Sequence, residues 1–206
     1  TVIHDKYTSF INSTNIENNL IFHYTSPVGF KGIIETNEIF FTDRQYLNDS
    51  SEGNYSQKLL ESIIKNKIET YRQRFWGEAI RSLSRNSPDS RFGKYHRYIA
   101  SFSIDIDNLS LWNYYTKTST KIGYNIALET KGFINSVSKN INFNNSEIGF
   151  KITSGIVLYN ERHQKKLANS MLDDYHLLYC KMTTTKQRKM LFASLDSDLE
   201  LLSLFF

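Results

Sequence analysis

Apolar positions recur along this chain in blocks whose spacing shifts between strand-like runs and helical periods. Leu20 to Tyr24 (Leu-Ile-Phe-His-Tyr) is a compact apolar and aromatic run and predicts a strand. Ser26-Pro27 follows it. A serine oxygen can cap free helical amides and proline fits the first helical position, so a short helix is expected, with Val28, Phe30, Ile33 and Ile34 as its apolar face and Thr36-Asn37 as its end. Glu38 to Thr42 reads as a second strand, and a polar loop spans Asp43 to Ser51. Leu59, Leu60, Ile63, Ile64, Ile68, Tyr71 and Phe75 recur at helical spacing and predict a helix from about Asn48–Ser50 to about Arg85. Asn86 to Ser90, around Pro88, is the clearest loop.

The second half continues with a strand over Tyr98 to Ser103 and a short helix over Asn108 to Tyr115 that Asp107 can cap. A strand is expected over Lys121 to Glu129, then an Asn-rich connection with one helical turn over Lys131 to Glu147. Ile148 to Tyr159 reads as a strand with Gly155 as a bulge, and Glu161 to the end as mostly helix. Residues 1–19 form a polar lead-in. Strands and helices are mixed without the strict alternation of a doubly wound fold. The expectation is one domain over 1–206, with a core at about 20–160 and a helical tail at about 161–206. That tail ends Leu201-Leu202-Ser203-Leu204-Phe205-Phe206, an apolar end that calls for a dock on the core, a partner such as an antitoxin, or further sequence.

Composition narrows the class. Apolar residues make up 40% and charged residues 22%, which suits a globular chain. There is no apolar run long enough for a membrane span and no signal-peptide pattern at the start. Cys180 is the only cysteine, so no internal disulfide or Cys-rich zinc site is possible and a cytoplasmic location is expected. The net charge of +4 says little by itself. Its distribution says more: Lys65 to Arg97 holds nine Lys or Arg residues against three acids, interleaved with Tyr71, Phe75, Trp76, Tyr95 and Tyr98. Such a stretch either neutralises phosphates and stacks on bases, or is a helix with a solvated basic face and a buried aromatic stripe. The second is the expected reading.

Several kinds of chemistry are not supported. Gly29 and Gly32 lie inside a helical pattern rather than in a phosphate loop. His163 and His176 do not stand at ligand spacing, so no metal is expected, and Cys180 lies in an apolar helix, which argues against a cysteine nucleophile. His23 is the candidate that remains. A lone strand histidine is usually structural, but His23-Tyr24-Thr25 closes a strand directly before a capped helix. A second aromatic cluster, Trp112-Asn113-Tyr114-Tyr115, follows the strand that ends Ser101-Phe102-Ser103.

Six motifs occur in order: His23-Tyr24-Thr25, Glu38 to Thr42, Leu47-Asn48-Asp49-Ser50-Ser51-Glu52, Ala100 to Ser103, Leu109 to Tyr115, and Ile122-Gly123-Tyr124. Their succession, over about residues 20–130, resembles the bacterial domain-of-unknown-function family 2971. More distantly it resembles the ADP-ribosyltransferase superfamily of the His-Tyr-Glu type. The resemblance implies an α+β fold, an ADP-ribosyltransferase-like split mixed sheet with flanking helices, and NAD as substrate without a metal. It implies His23 holding a ribose hydroxyl and Tyr114 and Tyr115 flanking the nicotinamide as the catalytic set. Tyr24, Thr25, Arg44, Ser103 and Trp112 would line the cofactor. An oxocarbenium-like transition state needs nearby negative charge, and a departing flat ring needs an apolar slot. The superfamily's late Glu-x-Glu-aromatic-Arg segment is missing before Phe206. Glu129 and Glu161 could substitute, although each reads more readily as an exposed strand-end residue. Asn48, Asp49 and Glu52 suit a site or a helix cap equally, and Arg44 suits a pyrophosphate or solvent. The implied function is an NAD-dependent ADP-ribosyltransferase domain of a bacterial toxin or antiphage system, acting on a protein or nucleic-acid acceptor. The alternatives are a non-catalytic NAD or nucleotide-binding module, and a nucleic-acid-binding protein that uses residues 65–97.

Overall fold

A computed structural model gives the fold and describes residues 3, 5–7, 20–43, 46, 50–71, 74–85, 98–116, 122–144 and 152–206. In chain order the elements are β1 (Leu20–Thr25), α1 (Pro27–Thr36), β2 (Thr42–Asp43), α2 (Ser50–Tyr71), α3 (Arg74–Arg85), β3 (Tyr98–Ile99), α4 (Leu109–Tyr115), β4 (Tyr124–Glu129), α5 (Thr130–Asn144), α6 (Glu161–Lys181) and α7 (Thr185–Phe205). Among the described residues the chain is mixed helix and strand, with two small two-stranded sheets, which is compatible with an α+β class. It divides into two compact units: one from residues 1–13, 43–97 and 155–206, the other from 14–42 and 98–154. No described helix is long and apolar enough to cross a membrane.

The mixed unit is organised by β1. This strand pairs antiparallel with β4 from Leu20–Glu129 to Thr25–Tyr124, and Phe22 makes an isolated antiparallel bridge to Ser103. The α1 helix begins as its sequence predicts: Ser26 accepts from the Gly29 amide, Pro27 opens the first turn, and Asn37 closes the helix in the left-handed conformation at φ 55°. The strands expected at Glu38–Thr42 and Tyr98–Ser103 shrink to β2 and β3, which pair with each other. No strand forms over residues 152–159; the start of that expected strand, residues 148–151, lies outside the described residues. β-propensity supplies no hydrogen bonds, and a strand persists only where a neighbouring backbone pairs with it. The expected Asn-rich connection is instead the fifteen-residue helix α5, whose first amides are taken up by the Glu129 carboxylate.

The helical unit carries the larger core. The long helix expected to Arg85 is two elements, α2 and α3. Leu60, Ile64, Trp76, Met171, Leu195 and Leu199 are all completely buried, each stabilising by roughly 1.5–3 kcal/mol of transfer free energy. Residues 161–206 are therefore no peripheral tail: α6 and α7 form much of this core. Leu201, Leu202 and Phe205 are buried in the chain's own bundle, so the apolar end docks on the core, the first of the alternatives its sequence offered. Gln164 ties that end down. It is 1% exposed, its amide donates to the Leu158 and Phe206 carbonyls, and its oxygen accepts from the Tyr55 hydroxyl.

Burial also decides the aromatic stripe of residues 65–97. Phe75 and Trp76 are completely buried, so neither ring can stack on a base. Lys65, Lys67 and Arg81 pair with Glu61, Asp173 and Glu78. Arg72, Tyr95 and the loop at 86–90 lie outside the described residues.

Candidate functional site

Strand pleating sets the geometry around His23. Successive side chains of β1 point to opposite faces, and directly paired residues share a face. Ile21, His23 and Thr25 therefore share one face with their partners Leu128, Ile126 and Tyr124. Phe22 and Tyr24 share the other with Ala127 and Asn125. The first face is covered by α1, whose Phe30 ring stacks on Tyr124 at 4.2 Å. Thr25 is buried beneath the first turn of α1, where a Cβ on Gly29 would stand 2.2 Å from the Thr25 Oγ1. Glycine is required there by close approach.

His23 is half-buried. Its ring lies tilted against Phe102 at 5.6 Å, and Phe102 in turn meets Phe133 of α5 edge-on at 5.1 Å. Burial pushes the imidazole below its ordinary pKa, and a backbone hydrogen bond at Ser101 only partly opposes this. The ring is thus neutral at pH 7. Among the described residues its Nδ1 has no hydrogen-bond partner, a condition that costs stability unless something else meets it.

The opposite face belongs to α4. Trp112 meets the buried Tyr24 ring edge-on at 4.8 Å. The Tyr24 hydroxyl donates to the Asp105 carbonyl at 2.8 Å and accepts from the Asn108 amide at 2.9 Å. Asn108, rather than the expected Asp107, caps α4. Asp107 instead accepts from the Trp112 Nε1 at 2.8 Å. Ser103 also stands on this side, because its bridge partner is Phe22, and its Oγ accepts from the Asp105 amide at 2.9 Å. Tyr114 and Tyr115 meet edge-on at 5.1 Å; Tyr114 is largely exposed, and burial raises the Tyr115 hydroxyl above its ordinary pKa.

The sequence-predicted residues thus fall into two groups. His23 and Thr25 share one face, with Phe102 beside the imidazole. Tyr24, Ser103 and Trp112 are brought together on the other, and the helix bearing Tyr114 and Tyr115 packs on that second face. The pairing of β1 does not gather His23 and the α4 aromatics on one surface. Tyr24 is a structural pin for the start of α4, with both hydrogen-bonding sites of its hydroxyl in use. Arg44, Asn48 and Asp49 lie outside the described residues. Phe102 is the neighbour that the sequence reading leaves out, although it sits inside the Ser-Phe-Ser motif.

The two candidate acids are engaged elsewhere. The Glu129 carboxylate accepts from the Lys131 and Gly132 amides at 3.1 and 2.6 Å and so caps α5. Glu161 opens α6 and pairs with Lys165 at 2.5 Å. Among the described residues no group of three or more His, Cys, Asp or Glu side chains is placed to hold a metal ion. No family model, curated protein or solved structure matches the chain. The resemblance to the two families therefore rests on the ordered motifs alone.

Proposed function

We propose that the mixed unit is a nucleotide-binding module of the ADP-ribosyltransferase-like kind, which holds NAD or a related nucleotide through His23 without transferring ADP-ribose. The observation that carries this reading is the half-buried His23 ring against Phe102, whose Nδ1 has no hydrogen-bond partner among the described residues. A neutral imidazole offers one donor and one acceptor nitrogen, which suits a ribose hydroxyl. The Phe102 ring beside it adds an apolar wall. Transfer chemistry would need a carboxylate near the ribose, and both candidates have local roles, Glu129 at the start of α5 and Glu161 on Lys165. The α4 tyrosines, which would have to flank the nicotinamide, belong to the helix on the opposite face.

Thermal unfolding with NAD, ADP-ribose and ATP tests the reading. A ligand at about 100 times its Kd stabilises the folded chain by about 2.7 kcal/mol. His23→Ala should abolish the shift and leave the unliganded Tm within a few degrees. No shift with any of the three nucleotides, or an undiminished shift in His23→Ala, overturns the module. Label passing from NAD into protein or nucleic acid in a lysate would restore the transferase reading.

A further inference from the structure

The positive charge of the chain belongs to the helical unit, which holds 19 of the 25 Lys and Arg residues and 14 of the 21 acids. Much of it is locally matched: Lys6 pairs with Asp174, Lys65 with Glu61, Lys67 with Asp173, Arg81 with Glu78 and Lys165 with Glu161. The corner between α6 and α7 differs. From Tyr175 to Leu195 there is no acid, and Lys181, Lys186, Arg188 and Lys189 all fall in that stretch. Packing brings a further cation. The Phe75 ring lies 5.5 Å from Tyr179 and 5.7 Å from Phe192, so the first turn of α3, with its exposed Arg74, meets the same corner.

Arg74, Lys181, Lys186 and Lys189 are exposed, and among the described residues none of them has a carboxylate partner. Lys186 and Lys189 stand three apart on the outer side of α7, while Leu191 and Leu195 face the core. Arg188 is engaged within the fold. It stacks on Tyr179 at 4.8 Å and donates to the Met182 carbonyl at 3.0 Å, which fixes the turn between the helices.

We propose that this corner docks the phosphate backbone of nucleic acid. Four unmatched cations from three elements form a field with no competing acid in the α6–α7 stretch, which is complementary to a chain of phosphates. The tip of the turn exposes the hydroxyl-bearing Thr183 and Thr185 rather than the aromatic anchors of a membrane-binding surface. With Phe75 and Trp76 buried, binding follows the backbone rather than base stacking. This surface lies in the helical unit and does not depend on the role of His23.

The test is fluorescence anisotropy of a dye-labelled single-stranded DNA oligonucleotide between 50 and 200 mM salt. Each phosphate contact contributes about −0.7 to the slope of log K against log salt, so four contacts give about −2.8, an affinity loss of about 50-fold over that range. Lys181→Gln/Lys186→Gln/Lys189→Gln should reduce the slope to about −0.7, a loss of about threefold. All three lysines are exposed, so the melting temperature should be unchanged. Lys58→Gln/Lys166→Gln removes charge from other exposed positions of the same unit and should keep the original slope. An unchanged slope in the triple variant overturns the proposal, as does an equal loss in the control. So does absence of oligonucleotide binding at 50 mM salt, with or without binding to vesicles containing phosphatidylserine.

Discussion

Removing one oxygen atom should loosen the start of α4. Tyr24→Phe deletes the hydroxyl that donates to the Asp105 carbonyl and accepts from the Asn108 amide. It keeps the ring that meets Trp112 edge-on at 4.8 Å. Asn108 is also the α4 cap, its Oδ1 accepting from the Leu111 amide at 3.1 Å, so the hydroxyl positions a capping residue as well as a loop. Each hydrogen bond is worth about 0.5–1.5 kcal/mol net, and a half-buried amide left unpaired costs more. Asp105 is exposed, so water replaces the bond at its carbonyl. The expected loss is about 1.5–2 kcal/mol. The assay is urea unfolding in a Trp76→Phe background, where Trp112 is the one remaining tryptophan of two and reports on its own contact with Tyr24. With a slope of about 1.5–2 kcal/mol/M the midpoint should fall by about 1 M. A shift below about 0.2 M, with the Trp112 emission unchanged, would refute the pinning role.

Three further outcomes follow from other contacts. His23 has a folded pKa below its unfolded value, so the unfolded chain binds more protons between the two; stability should rise as pH rises through that window and level off above about 6.5. His23→Gln should flatten this part of a Tm-against-pH curve measured from about pH 5 to 8. Gln164→Leu keeps the volume but strands the Leu158 and Phe206 carbonyls and the Tyr55 hydroxyl, so denaturant melts should show a loss of about 2–4 kcal/mol. Gly29→Ala drives a methyl to 2.2 Å from the Thr25 Oγ1 and should cost about 1–3 kcal/mol, whereas Thr25→Ala/Gly29→Ala should recover most of that loss in a double-mutant cycle.

What the sequence determined by itself is the set of features whose energy is local. Ser26-Pro27 and Asn37 bound α1 because a cap acts within one turn, and the apolar density of residues 20–24 was enough to mark β1. The alternation within β1 already places His23 and Tyr24 on opposite faces. Only the tertiary structure decided which face α4 would take, and so whether Trp112 would stand near His23. Strand extent was equally non-local: residues 38–41 and 152–159 have the composition of strands, but a ladder requires a second backbone in register, and among the described residues none pairs with them as a strand. Glu129 and Glu161 could not be judged from spacing, because their use depends on which amides and cations they meet. The basic stretch at 65–97 drew attention by its density, whereas the corner at Arg74, Lys181, Lys186 and Lys189 joins residues more than 100 positions apart. Phe75 packing against Tyr179 and Phe192 assembles it, and burial of that kind follows from the whole chain and not from any window of it.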